Sequence, residues 1–175
     1  MRRTALVRST STSHTFEADA LDLVAHRRVL LALADELGAR LRTTGELCRG
    51  LTLTVRYADR THTTRSRTLP EPTHDTPALS TLAYDLYTRL GLERVRVRQL
   101  SLRADRLGPA DGAHHQLLFD DHDDKARKLE AAADTARALF GPHVIQPAAT
   151  APNKPTTPPP WRGTSRTAMA GKRPP

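Results

Sequence analysis

Leu51-Thr52-Leu53-Thr54-Val55-Arg56-Tyr57 alternates apolar and polar residues without a break. Successive side chains of a strand point to opposite faces, so this stretch turns Leu51, Leu53, Val55 and Tyr57 inward and Thr52, Thr54 and Arg56 outward. Ala58-Asp59-Arg60 follows as a turn, and Thr61 to Leu69 as the second strand of a hairpin, which Pro70-Glu71-Pro72 stops.

Working outward, each flank of the hairpin carries a helix and then a strand. Upstream, Leu23, Leu30, Leu33, Leu37 and Leu41 recur at spacings of 7, 3, 4 and 4, which places them on one helical face. Before that helix, RSTSTSHTF (8–16) is rich in β-branched and hydroxyl residues and lacks a helical period, so it reads as a strand. Downstream, Asp75 and Pro77 resemble a helix start, with the carboxylate capping free amides. Leu79, Leu82, Leu86 and Leu90 repeat the spacing, and Gly91 ends that helix. The last strand, Arg94 to Arg106, has Val95 and Val97 in one parity and Leu100 and Leu102 in the other, as a bulge near Arg98 and Gln99 would cause. The order βαββαβ closes as an α+β fold: a four-stranded antiparallel sheet with two helices on one face and the other face bare.

The remainder is organised around this domain. Residues 1–7 are an N-terminal extension, 8–107 the folded domain, 108–122 a linker, 123–146 a third helix with a short extension, and 147–175 a basic, proline-rich tail. Leu129, Ala133, Ala136 and Phe140 form the expected inward face of the third helix, and Gly141-Pro142 its end. The tail has too little apolar side chain to offset ordering entropy and reads as disordered.

The 27 Lys and Arg exceed the 19 Asp and Glu, and the excess is uneven. Residues 1–106 hold 18 basic groups against 12 acidic, residues 107–146 hold 4 against 7, and residues 147–175 hold 5 against none. Such charge attracts polyanions, nucleic acid first among them. The lone cysteine, Cys48, excludes an internal disulfide framework, and no run of about 18 apolar residues exists for a membrane span, so a cytoplasmic protein is expected. No nucleophile constellation, phosphate-cradling glycine loop or paired carboxylates stand out, so no catalytic residue and no cofactor are implied. His114, His115 and the acidic run Asp120 to Asp124 lack helical metal-ligand spacing; the acids read as a helix cap rather than a metal site.

An uncovered sheet face with arginines and hydroxyls suits a sugar-phosphate backbone: guanidinium forks bind phosphate bidentately and hydroxyls donate to it. The basic candidates are Arg56, Arg65, Arg67, Arg96, Arg98, Arg103 and Arg106; the hydroxyl candidates are Ser9, Ser11, Thr12, Ser13 and Thr68. Gln116, Leu117, Leu118 and Phe119 place apolar groups in an otherwise polar loop, the pattern of a peptide that anchors in a partner's pocket.

Four pieces, RSTSTSHTF (8–16), RSRTLPEPT (65–73), VRQLSLRADRL (97–107) and QLLFDDHDDKARKLEAAADTARALFG (116–141), together resemble the C-terminal little finger of bacterial Y-family translesion DNA polymerases of the polymerase IV type. The resemblance spans about residues 8–146 in family order. It implies the βαββαβ fold with its bare face lying along duplex or primer-template DNA. It also implies phosphate contacts from Arg65, Arg67, Thr68, Arg98 and Arg103, and first-strand contacts from Ser9, Ser11 and Thr12. Gln116-Leu117-Leu118-Phe119 looks like the bacterial sliding-clamp peptide, commonly Q-L-x-L-F, but is one residue shorter between Gln and Phe. The family's fingers, palm and thumb would precede residue 1, so the expectation is a non-catalytic DNA- and clamp-binding module for DNA repair and lesion bypass, acting either with a polymerase core on another chain or as a competitor for primer ends and clamp sites. Competing readings are a clamp-binding adaptor without a DNA role, a remnant of a split polymerase gene, and an RNA-binding module of RRM type. The last is disfavoured because only Phe16 and Tyr57 lie on expected strands, whereas RRMs stack bases on sheet aromatics.

Overall fold

A computed structural model of the protein describes residues 8–92, 95–110, 121–141 and 144–150. Strand β1 (Ser9–Ala20), helix α1 (Leu23–Thr44), strands β2 (Glu46–Tyr57) and β3 (His62–Thr73), helix α2 (Thr76–Thr88) and strand β4 (Val97–Asp105) follow one another as βαββαβ. A two-residue strand β5 (Gly108–Pro109) then pairs with the start of β2, and helix α3 (Asp121–Phe140) and a 3-10 turn (Ala148–Thr150) come last. The long strands are ordered β1-β4-β2-β3, all antiparallel, with β1 and β3 as edges.

The alternation of β2 is realised as expected. Leu51, Leu53 and Val55 are fully buried, and beside them on β4 lie Val97, Leu100, Leu102 and Ala104. Helices α1 and α2 cover this face with Leu30, Leu33, Leu37 and Leu41 from one and Leu79, Ala83 and Leu86 from the other. The parity slip of β4 is a bulge: Arg56 and Tyr57 of β2 face Gln99 and Val97, which leaves Arg98 as the extra residue.

Local chemistry sets the ends of α1. Asp22 accepts from the Val24 amide at 2.8 Å, and Gly45, at φ 64°, supplies the left-handed C-terminal turn. Leu23 was expected on the inner face but is half exposed, because the first turn of α1 overhangs the sheet and burial begins with His26. Inside α1, Gly38 has a separate purpose: a Cβ there would lie 2.8 Å from Thr76 Oγ1 and 3.0 Å from the His74 carbonyl, so glycine lets the loop before α2 cross tightly.

Two expectations about the stretch from β3 to α2 are corrected. Strand β3 does not stop at Pro70 but continues to Thr73, with a register shift opposite Cys48 and Gly50. An edge strand tolerates proline because one side of its backbone has no ladder partner to lose. Asp75 stands at the N-cap position of α2, yet the Thr76 amide donates to Glu130 of α3 at 2.8 Å, so the free amide is taken by another element.

The expected inward face of helix α3 holds in its middle, where Ala133 and Ala136 are half-buried, but not at its ends, where Leu129 and Phe140 are 66 % and 74 % exposed. Polar groups face the body beside the two alanines. Arg42 of α1 pairs with Glu130 at 3.3 Å and Asp134 at 2.5 Å, and Arg137 pairs with Asp35 of α1 at 2.6 Å. Burial disfavours the charge on Arg42, but Asp134 and Glu130 outweigh it and raise its pKa above the ordinary arginine value. Within the expected disordered tail, residues 148–150 form the 3-10 turn, closed by a Thr150–Pro147 backbone hydrogen bond of 2.8 Å. Residues 1–7, 116–119 and 151–175, which hold the extension, the clamp-like peptide and the rest of the tail, lie outside the described residues. Among the described residues no helix is long and apolar enough to cross a membrane.

Candidate nucleic-acid interface

The register of the sheet defines the uncovered face residue by residue. Side chains directly opposite in antiparallel strands share a face, so the face reads in rows across β1-β4-β2-β3. The rows are Ser9–Asp105–Gly50–Thr68, Ser11–Arg103–Thr52–Ser66, Ser13–Ser101–Thr54–Thr64 and Thr15–Gln99–Arg56–His62. Among these positions hydroxyls dominate, arginine appears twice, aspartate once, and Phe, Tyr and Trp not at all.

The centre of this face is a shallow open groove of about 410 Å³, lined by Ser11, Thr52, Thr54, Arg56, His62, Thr64, Gln99, Ser101 and Arg103. Its donors are partly tied within the sheet. Thr54 and Thr64 hydroxyls lie 3.2 Å apart, and Ser101 donates to the Thr12 carbonyl at 3.0 Å. Thr52 donates to Asp105 Oδ2 at 2.6 Å, while Asp105 Oδ1 lies 2.8 Å from Arg103 Nε. Arg56 is exposed and aims outward from the middle strand β2.

Of the residues singled out from the sequence, Ser9, Ser11, Ser13, Arg56, Thr68 and Arg103 stand together on this face. Thr68 accepts at 3.4 Å from Arg106, which itself sits at φ 57° just beyond β4. Arg98, at the bulge, is exposed and 3.4 Å from Asp19; Arg96, just before β4, is exposed and gives its carbonyl to the Ala58 amide at 3.0 Å. These two lie at the margin of the face.

Thr12, Arg65 and Arg67 do not join it. Thr12 is buried on the helix side, its hydroxyl donating to the Leu33 carbonyl at 3.4 Å. Arg65 and Arg67 lie opposite Leu53 and Leu51, hence on the helix side too, where Arg67 pairs with Asp85 of α2. Arg89 first, and Arg67 with it, hold the Asp85 carboxyl below the usual carboxylate range. Arginine survives on this side because β3 is an edge strand whose long side chains escape past α2 to water.

Sequence reading missed Ser66, Thr64, His62, Ser101 and Thr15. The signal was present: closing the hairpin through Ala58 to Thr61 pairs odd-numbered residues of β2 with odd-numbered residues of β3. The even positions of β3 therefore share the open face with Thr52, Thr54 and Arg56. Phe16, the one large apolar group of β1, packs against the core, edge-on between His14 and His26 at ring separations of 5.1 and 5.5 Å.

Comparison with known proteins identifies the family of the chain. The model of the impB/mucB/samB family C-terminal domain matches residues 7–118. DNA polymerase IV of Desulfatibacillum aliphaticivorans is 31% identical over 137 residues, covering 77% of this chain and 35% of that protein. DNA polymerase IV of Opitutus terrae is 29% identical over 141 residues, covering 79% of this chain and 35% of that protein. The chain thus spans about a third of the length of these relatives. Among solved structures, a complex of the β-clamp processivity factor and the little finger domain of PolIV is similar at TM-score 0.47 and 20% identity, covering 64% of this chain and 98% of that one. With the family model matched over residues 7–118, well over half of the chain, the chain belongs to the impB/mucB/samB family through its C-terminal domain.

Proposed function

We propose that the open sheet face holds duplex DNA by its backbones, and that the chain serves lesion bypass as a DNA- and clamp-binding module beside a polymerase catalytic domain. The observation that carries this reading is the four-strand array of hydroxyls and arginines, with no Phe, Tyr or Trp among its described positions. Hydroxyls and guanidinium groups satisfy phosphate oxygens, whereas reading unstacked bases relies on aromatic platforms, of which the described face offers only the His62 ring at its end. Contacts of this kind position a protein without reading sequence. Ser9, Ser11, Arg56, Thr68 and Arg103 contribute from the face, and Arg96, Arg98 and Arg106 from its margin.

The test is duplex affinity against salt. Binding should be insensitive to sequence and fall steeply as salt rises, and Arg56→Ala with Arg103→Ala should flatten the log–log slope by about 2, roughly one per lost phosphate contact. Affinity independent of salt would reject the reading.

Clamp binding rests on Gln116, Leu117, Leu118 and Phe119 and on their likeness to the clamp peptide. A peptide covering residues 114–121 should bind the bacterial ring, and Phe119→Ala should abolish that binding. If Phe119→Ala removed the cellular phenotype while the arginine substitutions left it intact, the clamp-adaptor reading would replace the DNA reading.

A further inference from the structure

The open face carries one carboxylate, Asp105, at a place where a phosphate-binding surface has an electrostatic reason to avoid it. Its neighbours across the sheet are Ser9 and Gly50, neither of which reaches it as a charge partner. Both of its oxygens are nonetheless engaged, one diagonally across to β2 and one along β4. Oδ2 accepts from Thr52 at 2.6 Å, and Oδ1 lies 2.8 Å from Arg103 Nε.

The pairing through Nε matters chemically. A guanidinium has five N–H donors in a planar fork, and a carboxylate at the Nε corner leaves the two terminal nitrogens for another anion. Arg103 has about half its side chain exposed, and the Thr52 hydroxyl, buried beneath it, spends its proton on Asp105 rather than on a ligand. Thr52 thereby orients the carboxylate, and the carboxylate holds the guanidinium beside it as an ion pair.

Resting on the DNA reading above, we propose that Asp105 is a positioning residue for DNA binding: with Thr52 it holds Arg103 so that the terminal edge of the guanidinium meets a backbone phosphate. The phosphate then contacts the guanidinium directly while the carboxylate lies on the far side of it. Orientation of the fork outweighs the more distant, solvent-screened repulsion.

A double-mutant cycle on the whole chain separates this from two simpler roles. Short duplex DNA is the probe, and thermal melting is followed in parallel. In the wild-type background Asp105→Asn should weaken duplex binding three- to tenfold without a matching loss of melting temperature. In the Arg103→Ala background the same substitution should strengthen binding, because an unpaired carboxylate is removed from a phosphate-facing surface. Strengthening in both backgrounds would mean that Asp105 acts only as a charge, weakening in both that it is only structural, and no effect in either that it has no part in binding; each overturns the proposal. Failure of the wild-type chain to bind duplex would instead defeat the DNA reading itself.

Discussion

Arg103 and Arg67 share a side-chain type and lie on strands of the same sheet, yet they face opposite ways. Arg103 sits with Ser11, Thr52 and Ser66 on the open face, and Arg67 is drawn to Asp85 of α2 on the other. Arg103→Ala should therefore cost duplex affinity several-fold and flatten its salt dependence by about one unit of slope, while Arg67→Ala should leave both unchanged. Fluorescence anisotropy at several salt concentrations decides it. His26 supplies a second prediction at this scale. The ring is buried, with Nδ1 2.6 Å from the Tyr87 hydroxyl and Nε2 3.2 Å from the Ala20 carbonyl, and burial first of all holds its pKa below the ordinary histidine value. The unfolded chain then binds more protons than the folded one between the lowered pKa and about 6.5. Stability from neutral His26 is full above about pH 6.5 and declines as pH falls through that window. Melting temperature should drop on acidification, and less so in His26→Gln. Cys48, buried with its thiol pushed up to about 11, should resist alkylation in the native state.

The elements of the domain were legible where burial is one-sided and strands are flanked. The alternation of Leu51 to Tyr57 and the parity slip at Arg98 both translated into the observed strand and bulge. Legibility failed where an element meets its neighbours through charge. Helix α3 has an apolar stripe through Leu129 and Phe140, and periodicity alone turns such a stripe inward, but the partners of this helix are Arg42 and Asp35 on α1. No local pattern tells which of two helical faces finds complementary charges on a distant segment. The same holds for β3, whose edge position, invisible in its own residues, decides that arginine and proline are tolerated there. Arg42→Ala leaves Glu130 and Asp134 without their shared partner in a mostly buried site and should cost about 3 kcal/mol. The loss should be local: hydrogen exchange should accelerate across residues 121–140 while β2 and β4 stay protected. Gly38→Ala should destabilise the same corner, since the added methyl meets Thr76 and the His74 carbonyl.

At the scale of the whole molecule, one side of the sheet is sealed by α1 and α2 and the other is open. The apolar side holds the fold: Leu53→Ala, removing a fully buried side chain from the central strand, should cost about 3 kcal/mol. The polar side contributes little to that stability and is free to be specialised. Its residue types were largely readable from the outward positions of β2 and β4. Its exact membership was not, because Thr12, Arg65 and Arg67 leave the face and Ser66, Thr64 and Ser101 join it only once strand pairing is known. The measurement that bears most directly on the account is an NMR titration of the isotope-labelled chain with a short duplex. Amide and arginine side-chain shifts should move at Ser11, Thr52, Arg56, Ser66 and Arg103 and stay still along the outer surfaces of α1 and α2. Shifts confined to the helices, with the sheet face silent, would contradict it.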